Sequence, residues 1–254
     1  MIIDTHCHLY LPEFNDDIGD MIQRAEAVDV QKFYLPAIDS ASYDALLNLE
    51  DRFPGKCIAM MGLHPCSVKE NYLDEIALVE SWLSQRPFAA IGEAGLDLYW
   101  DNTYLKQQYH ALELQIELAL KLDLAIILHT RNATRETIGV INKYQHSSFK
   151  GIFHCFGGTV EEARQITDMG FYLGIGGVVT YKNSGLAEVI KDISLNHIVL
   201  ETDAPYLSPT PYRGKRNESS YLKNIVEKIA DIKQCSFEEV AEQTTKNAKK
   251  IFKY

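Results

Sequence analysis

The feature that most restricts the fold is a rhythm: short continuous apolar runs alternate with longer segments of helical periodicity along the whole chain. The runs are rich in β-branched and aromatic residues and lie near Ile2, Phe33, Ile58, Phe88, Ala125, Ile152, Phe171 and Ile198. Continuous rather than alternating hydrophobicity is expected of strands buried on both faces, and such strands belong to parallel sheets covered by helices. Helices are predicted over 16–28, 41–52, 73–85, 103–122, 134–143, 160–169, 186–192, 219–232 and 237–252. In the fourth, Leu105, Tyr109, Leu112, Ile116, Ala119 and Leu120 recur at helical spacing behind a candidate N-cap at Asn102. Eight strands alternating with helices predict an α/β chain closed into a (β/α)8 TIM barrel, and 254 residues is an ordinary length for one. No linker, low-complexity tract or charge block divides the chain, so residues 1–254 are expected to form a single barrel domain.

Potential metal ligands stand at or just beyond the C-terminal ends of these runs: His6 and His8 in IIDTHCHL, Glu93 in FAAIGEAGLD, His129 in AIILHTR, His154 in GIFHCF and Asp203 in HIVLETDAP. In a barrel those ends point to one mouth, where active sites sit. A doubly wound open sheet would instead gather its ligands at one switch point. Any one of these residues alone has an ordinary structural explanation, but the six converge. His-x-His at the end of a strand aims both imidazoles into one site, and Glu93 has two oxygens with which to bridge two ions. Two ions at such a mouth would activate water and stabilise charge on a phosphoryl or carbonyl oxygen, with Asp203 accepting the water proton. Three other histidines, His110, His146 and His197, fall away from the predicted mouth and are expected to be structural or exposed.

The net charge of −10 argues against a protein that grips long duplex nucleic acid, since such binding depends on neutralising phosphates. A short strand or a single end at a locally positive mouth is compatible with it. The cysteines Cys7, Cys57, Cys66, Cys155 and Cys235 form an odd, scattered set without a C-x-x-C pair, so free thiols in a reducing compartment are expected. Cys7 and Cys155 adjoin ligand histidines, yet the two-residue period of extended chain turns Cys7 away from the face of His6 and His8. No apolar run approaches membrane-spanning length and no secretory signal is visible, so a cytoplasmic location, no membrane association and a start at Met1 are the expectations. No obligate protein partner is indicated.

The ordered motifs DTHCHL, GLHP, AIGEAGLD, ILHTR, FHCFGG and ETDAPYL followed by RGKRN resemble the TatD-type metal-dependent deoxyribonucleases of the amidohydrolase superfamily, from the first strand to the closing TTKNAKKIF segment. The resemblance implies a barrel with a divalent-metal site that hydrolyses DNA, often from the 3′ end of a single strand. It implies one ion on His6, His8, Glu93 and Asp203, another on Glu93, His129 and His154, with Glu93 bridging and Asp203 as acid/base. It places His64 on a substrate phosphate. The chain departs from the family's usual pattern in carrying Ser219 and Ser220 where a proline is common, and Arg131-Asn132-Ala133 after the fifth strand.

Around the mouth, Arg131 and the loop PYRGKRN supply cations, of which Arg213 is the better candidate for a phosphate than Lys215 or Arg216. Tyr99, Trp100 and Tyr206 follow ligand-bearing strands and are candidates for stacking on a terminal base. The resulting expectation is a two-metal 3′-5′ exonuclease on single-stranded DNA, or RNA, with two divalent ions that are Zn2+, Mn2+ or Mg2+. A same-fold hydrolase of a small amide, ester or lactone, and a non-catalytic metal-containing binding protein, are the two rivals.

Overall fold

The computed structural model of the chain describes residues 1–144 and 149–252. Eight parallel strands are present among them: β1 (Ile2–Asp4), β2 (Val30–Leu35), β3 (Cys57–Ala59), β4 (Ala90–Asp97), β5 (Ala125–Arg131), β6 (Gly151–Phe153), β7 (Tyr172–Ile175) and β8 (Ile198–Leu200). Helices α1 (Ile18–Glu26), α2 (Tyr43–Arg52), α3 (Tyr72–Gln85), α4 (Leu105–Leu122), α5 (Thr134–Ile141), α6 (Val160–Asp168) and α7 (Leu186–Asp192) each follow one strand. After β8 come α8 (Leu222–Lys233) and α9 (Phe237–Ile251).

Regular ladders join β1 to β3 and β4 to β8 in sequence order. Two narrower seams complete the ring. At the first, Met61 bridges Ile91 and the Met61 N–H donates to the Ala90 carbonyl at 3.2 Å. At the second, the Thr5 N–H donates to the Leu200 carbonyl at 2.9 Å, and the Asp203 N–H to the His6 carbonyl at 2.9 Å. The expected (β/α)8 barrel is therefore the fold.

Alternate residues of each strand go to different cores, as the period of two requires. Ile2, Phe33, Ile91, Ile126, Phe153 and Leu200 pack outward beneath the helices. Ile3, Tyr34, Ile58, Ala90, Ile127, Ile152 and Val199 form a separate inner cluster, shut at the N-terminal end of the barrel by Ala248, Ile251 and Phe252 of the last helix and its end. Tyr34 and Phe252 stack there with centroids 3.8 Å apart.

Two boundaries differ from the sequence expectation. The fourth strand begins later and runs further than the run near Phe88 suggested, so Glu93 lies within it rather than beyond it. The register between β4 and β5 shifts between Ile91 and Ala94, and Gly92 lets the strand pass close to Ile127, whose Cβ would stand 2.7 Å from any Cβ at that position. Asn102 is not the cap of α4: the N-cap position is Tyr104, and Asn102 donates its amide to the Leu98 carbonyl at 3.4 Å. Competition from this local turn, and from Asp101 accepting the Thr103 N–H, delays the helix to Leu105.

Candidate metal centre

Inner-face positions one step above the apolar plug become ligand positions. Ile127 is followed two residues on by His129, Ile152 by His154, and Val199 by Glu201 and then Asp203. Asn132, Cys155 and Asp203 adopt left-handed conformations just past strands β5, β6 and β8, with φ of 53°, 47° and 55°, which turns the chain sharply at the mouth. His6, His8, Glu93 and His154 are all buried.

Glu93 divides the site in two. Its Oε2 lies 3.1 Å from His6 Nε2 and 3.5 Å from His8 Nε2, and Asp203 Oδ1 stands 3.7 and 3.6 Å from the same two nitrogens. Its Oε1 lies 2.8 Å from His129 Nδ1 and 2.8 Å from His154 Nε2. The structure thus brings together all six residues read from the sequence as ligands.

The protons on the far nitrogens can be placed. Tyr10 donates its hydroxyl to the Pro36 carbonyl at 2.7 Å, so it accepts from His8 Nδ1 at 2.9 Å, which leaves a lone pair on His8 Nε2 facing Glu93. His8 Nε2 and His6 Nε2 are only 3.3 Å apart. Convergent nitrogen and carboxylate donors of this kind suit a divalent cation such as zinc or manganese better than magnesium, which prefers oxygen alone. The residues present therefore fit a metal on each side of Glu93.

His64 sits beside the second group, its Nε2 3.3 Å from Glu93 Oε1 and 3.2 Å from His129 Nδ1. Its Nδ1 accepts the Cys66 N–H at 3.0 Å, which puts the ring proton on Nε2. That nitrogen is a donor rather than a ligand.

The electrostatics agree with a site built for cations. Burial pushes Glu93 toward protonation, but the surrounding charges of His154, His64 and His6 outweigh it and hold the carboxyl well below its usual range. Burial likewise opposes charge on His154, yet Glu93 and Glu201 hold it well above the usual value. His129 behaves the same way through Asp97 and Glu93. Desolvation lifts Asp203 to about 6. Protons on His129 and His154 thus balance carboxylates that a cation would otherwise balance.

The ligands open into a cleft of about 1050 Å³ lined by Arg131, Asn132, Trp100, Tyr206, Thr159 and Arg135 among others. Arg131 stacks on Tyr99, its guanidinium carbon 4.9 Å from the ring centre. Trp100 is 73% exposed and Tyr206 50%. Arg213 is exposed and lies outside the cleft lining, 4.1 Å over the Tyr181 ring. Arg216 also lies outside the cleft lining, bonded to Asp17 at 2.6 and 2.8 Å. Among the described residues the cysteines are all free. Cys7 points its sulfur at the Tyr34 carbonyl, 3.6 Å away, and burial pushes the thiol up; Cys66 is pushed up to about 12 by burial and by Asp97. Of the three histidines expected away from the mouth, His110 is exposed against the Tyr72 hydroxyl at 2.8 Å and His197 lies beside Tyr172. His146 lies outside the described residues.

Sequence reasoning missed Asp4, Tyr10, Asp97 and Glu201. Asp97 and Glu201 are acidic residues in the same motifs as Glu93 and Asp203, four and two places away, and that parity was the available signal. Asp4 accepts from the Thr202 and Ser219 hydroxyls, each at 2.6 Å, and so ties the first strand to the loop after the eighth.

A parallel barrel whose mouth gathers imidazoles around a central carboxylate is the architecture of a metal-dependent hydrolase. A family model described as TatD related DNase matches residues 3–253, and the chain belongs to that family. It is similar to an uncharacterized metal-dependent hydrolase, YabD, of Bacillus subtilis, 36% identical over 254 residues that cover 100% of this chain and 99% of the relative. The Escherichia coli hydrolase YcfH is 29% identical over 257 residues, covering 99% of this chain and 95% of its own. Among solved structures, the TatD homologue YjjV of Escherichia coli superposes with a TM-score of 0.94 at 28% identity, covering 100% of this chain and 98% of its own. A TatD-family hydrolase of Entamoeba histolytica shares the fold, with a TM-score of 0.84, 22% identity, and coverage of 99% and 97%.

Proposed function

We propose that residues 1–254 act as one unit that hydrolyses phosphodiester bonds at the 3′ end of single-stranded DNA, or of RNA, in the cytoplasm. The observation that carries this reading is Glu93, whose two oxygens each face a separate cluster of imidazoles beside an open cleft. Two divalent ions, zinc, manganese or magnesium, would be held by His6, His8, Glu93 and Asp203 on one side and by Glu93, His129 and His154 on the other. When bound, they supply Lewis acidity, lowering the pKa of water and offsetting charge on the phosphoryl oxygens.

The chain's own groups account for the rest. Asp203, lifted to about 6 by burial, is poised to take the proton of attacking water near neutral pH. His64 offers its Nε2 proton to a non-bridging phosphate oxygen, and Arg131, steadied by Tyr99, grips a neighbouring phosphate. Trp100 and Tyr206 give the terminal bases exposed faces for stacking. Arg213, farther out over Tyr181, meets a longer strand rather than the scissile phosphate. The cleft is at the upper end of small-ligand pocket volumes, on the order of 300–1,000 Å³, which favours several nucleotides over a lactone.

A single-stranded oligonucleotide labelled at its 5′ end tests this. Stepwise shortening that needs metal after chelation, and that Asp203→Asn abolishes, is expected. Internal cleavage of duplex would overturn the polarity and substrate form. Metal-loaded protein that cleaves only neutral esters would move the reading to a small-molecule hydrolase. Arg131→Ala should lower kcat/KM on the oligonucleotide about 10- to 100-fold, the worth of a charged hydrogen bond at about 1.5–3 kcal/mol, and leave a neutral ester unaffected.

A further inference from the structure

His129 and His154 meet the same oxygen of Glu93 through opposite nitrogens, Nδ1 and Nε2, each at 2.8 Å. An imidazole that ligates a metal through one nitrogen keeps its proton on the other, so the partner of the second nitrogen decides which one is free. Behind His129, Asp97 Oδ2 lies 2.9 Å from Nε2. Asp97 cannot swing away: its Oδ1 accepts the Tyr99 and Trp100 N–H groups, both at 2.9 Å. Behind His154, Glu201 Oε1 lies 3.5 Å from Nδ1 and also accepts the Cys155 N–H.

Glu201 is fully buried. Its Oε2 and the Nδ1 of His154 are both buried without a hydrogen-bond partner. A carboxylate taken out of water without a cation is costly, and the His154 ring beside it is able to carry positive charge. The neighbouring strand is shaped to admit it. A Cβ on Gly174 would come 2.1 Å from Glu201 Oε2, so only glycine at that place leaves room for the carboxylate. By contrast His8 is backed by a neutral tyrosine hydroxyl.

We infer that Asp97 and Glu201 are positioning residues that hold His129 and His154 in opposite tautomers, so that Nδ1 of one and Nε2 of the other face the ion beside Glu93 Oε1. This rests on the metal reading of the site proposed above. A carboxylate behind each ring also raises the basicity of the nitrogen that ligates.

The test uses zinc and the full chain. Equilibrium dialysis first establishes whether zinc binds; failure there overturns the metal reading and this inference with it. With zinc bound, long-range proton–nitrogen NMR of the imidazoles should show the proton of His129 on Nε2 and that of His154 on Nδ1. Both rings carrying the proton on the same nitrogen would overturn the inference alone. Glu201→Gln and Asp97→Asn should each weaken zinc binding about 10- to 100-fold, the usual effect of losing an outer carboxylate. Gly174→Ala, whose Cβ would meet Glu201 Oε2 at 2.1 Å and the His154 Cα at 3.0 Å, should weaken it at least as much. Variants that fold and bind zinc with undiminished affinity and unchanged ring spectra would assign the carboxylates a structural role only. Should no variant fold, the wild-type spectrum still decides.

Discussion

The two ends of the barrel interior are built from the same strands and obey opposite rules. At the N-terminal end Ile3, Ile127, Ile152 and Val199 fill the space with apolar volume under the Tyr34–Phe252 stack. At the other end, two to four residues further along, His6, His129, His154 and Asp203 place buried and half-buried polar groups face to face. The first end gains free energy by excluding water; the second spends some of it to assemble groups that repel or desolvate one another until a cation joins them. Stability and chemistry are thus separated along the strand axis, and each end should respond to substitution on its own scale.

The largest expected effect lies at the mouth. Asp203→Asn should reduce kcat about 10²- to 10⁴-fold while the thermal transition hardly moves, because a carboxyl whose ionisation desolvation already opposes is replaced by an amide of the same shape. A drop in melting temperature of the same order as the loss of activity would break the separation. At the opposite end, Phe252→Ala should cost about 3–5 kcal/mol in denaturant unfolding and leave zinc affinity intact. Chelation should then remove roughly 2.7 kcal/mol from a protein held at a hundredfold excess of metal over Kd, and by the same increment in wild type and Phe252→Ala. Unequal increments in calorimetry would show the two ends to be coupled.

The smallest effect concerns an ionic network outside the cleft lining, where Asp17 bonds to both Arg216 and Arg24 and the buried Glu218 joins in. Arg216 holds the Asp17 carboxyl well below its usual range, and Glu218 is also lowered, burial opposing and Arg24 prevailing. A depressed folded-state pKa adds stability that is complete above the ordinary carboxylate range and is lost as pH falls through the depressed value. Asp17→Asn should therefore be less stable than wild type at neutral pH, by no more than about 1 kcal/mol for so exposed a pair, and should converge with it in strong acid. A constant gap at every pH would remove the network from the acid response.

Much of this is legible in the sequence. The barrel followed from run length and spacing, and the six ligand candidates from their place after the runs. What the chain could not disclose was the division of labour among carboxylates. Glu93 and Asp97 stand in one motif, as do Glu201 and Asp203, and identical chemistry serves one as ligand candidate and the other as support. What separates them is which ring nitrogen they meet. Glu93 and Asp203 face the nitrogens that converge on the site, whereas Asp97 and Glu201 stand behind the opposite nitrogens of His129 and His154. The inward turn of Glu93 depends on a shift of register between two strands, a tertiary property invisible to periodicity. Arg213 read as a cleft cation because it follows Asp203 closely, but the intervening loop carries it onto Tyr181 instead. For His64 the phosphate role comes from the family likeness alone; what the structure adds is the Cys66 amide, which leaves the ring proton on Nε2.

The seams of the ring have a further consequence. The bonds that shut it are made by Thr5, His6, His8 and Asp203 on one side and by Met61, Gly92 and Glu93 on the other. Closing the barrel and assembling the mouth are therefore a single event. A chain emerging from the ribosome carries His6, His8, Glu93, His129 and His154 long before Asp203, and it has no eighth strand on which the first can close. Hydrolytic capacity therefore waits on the last strand and the loop that follows it.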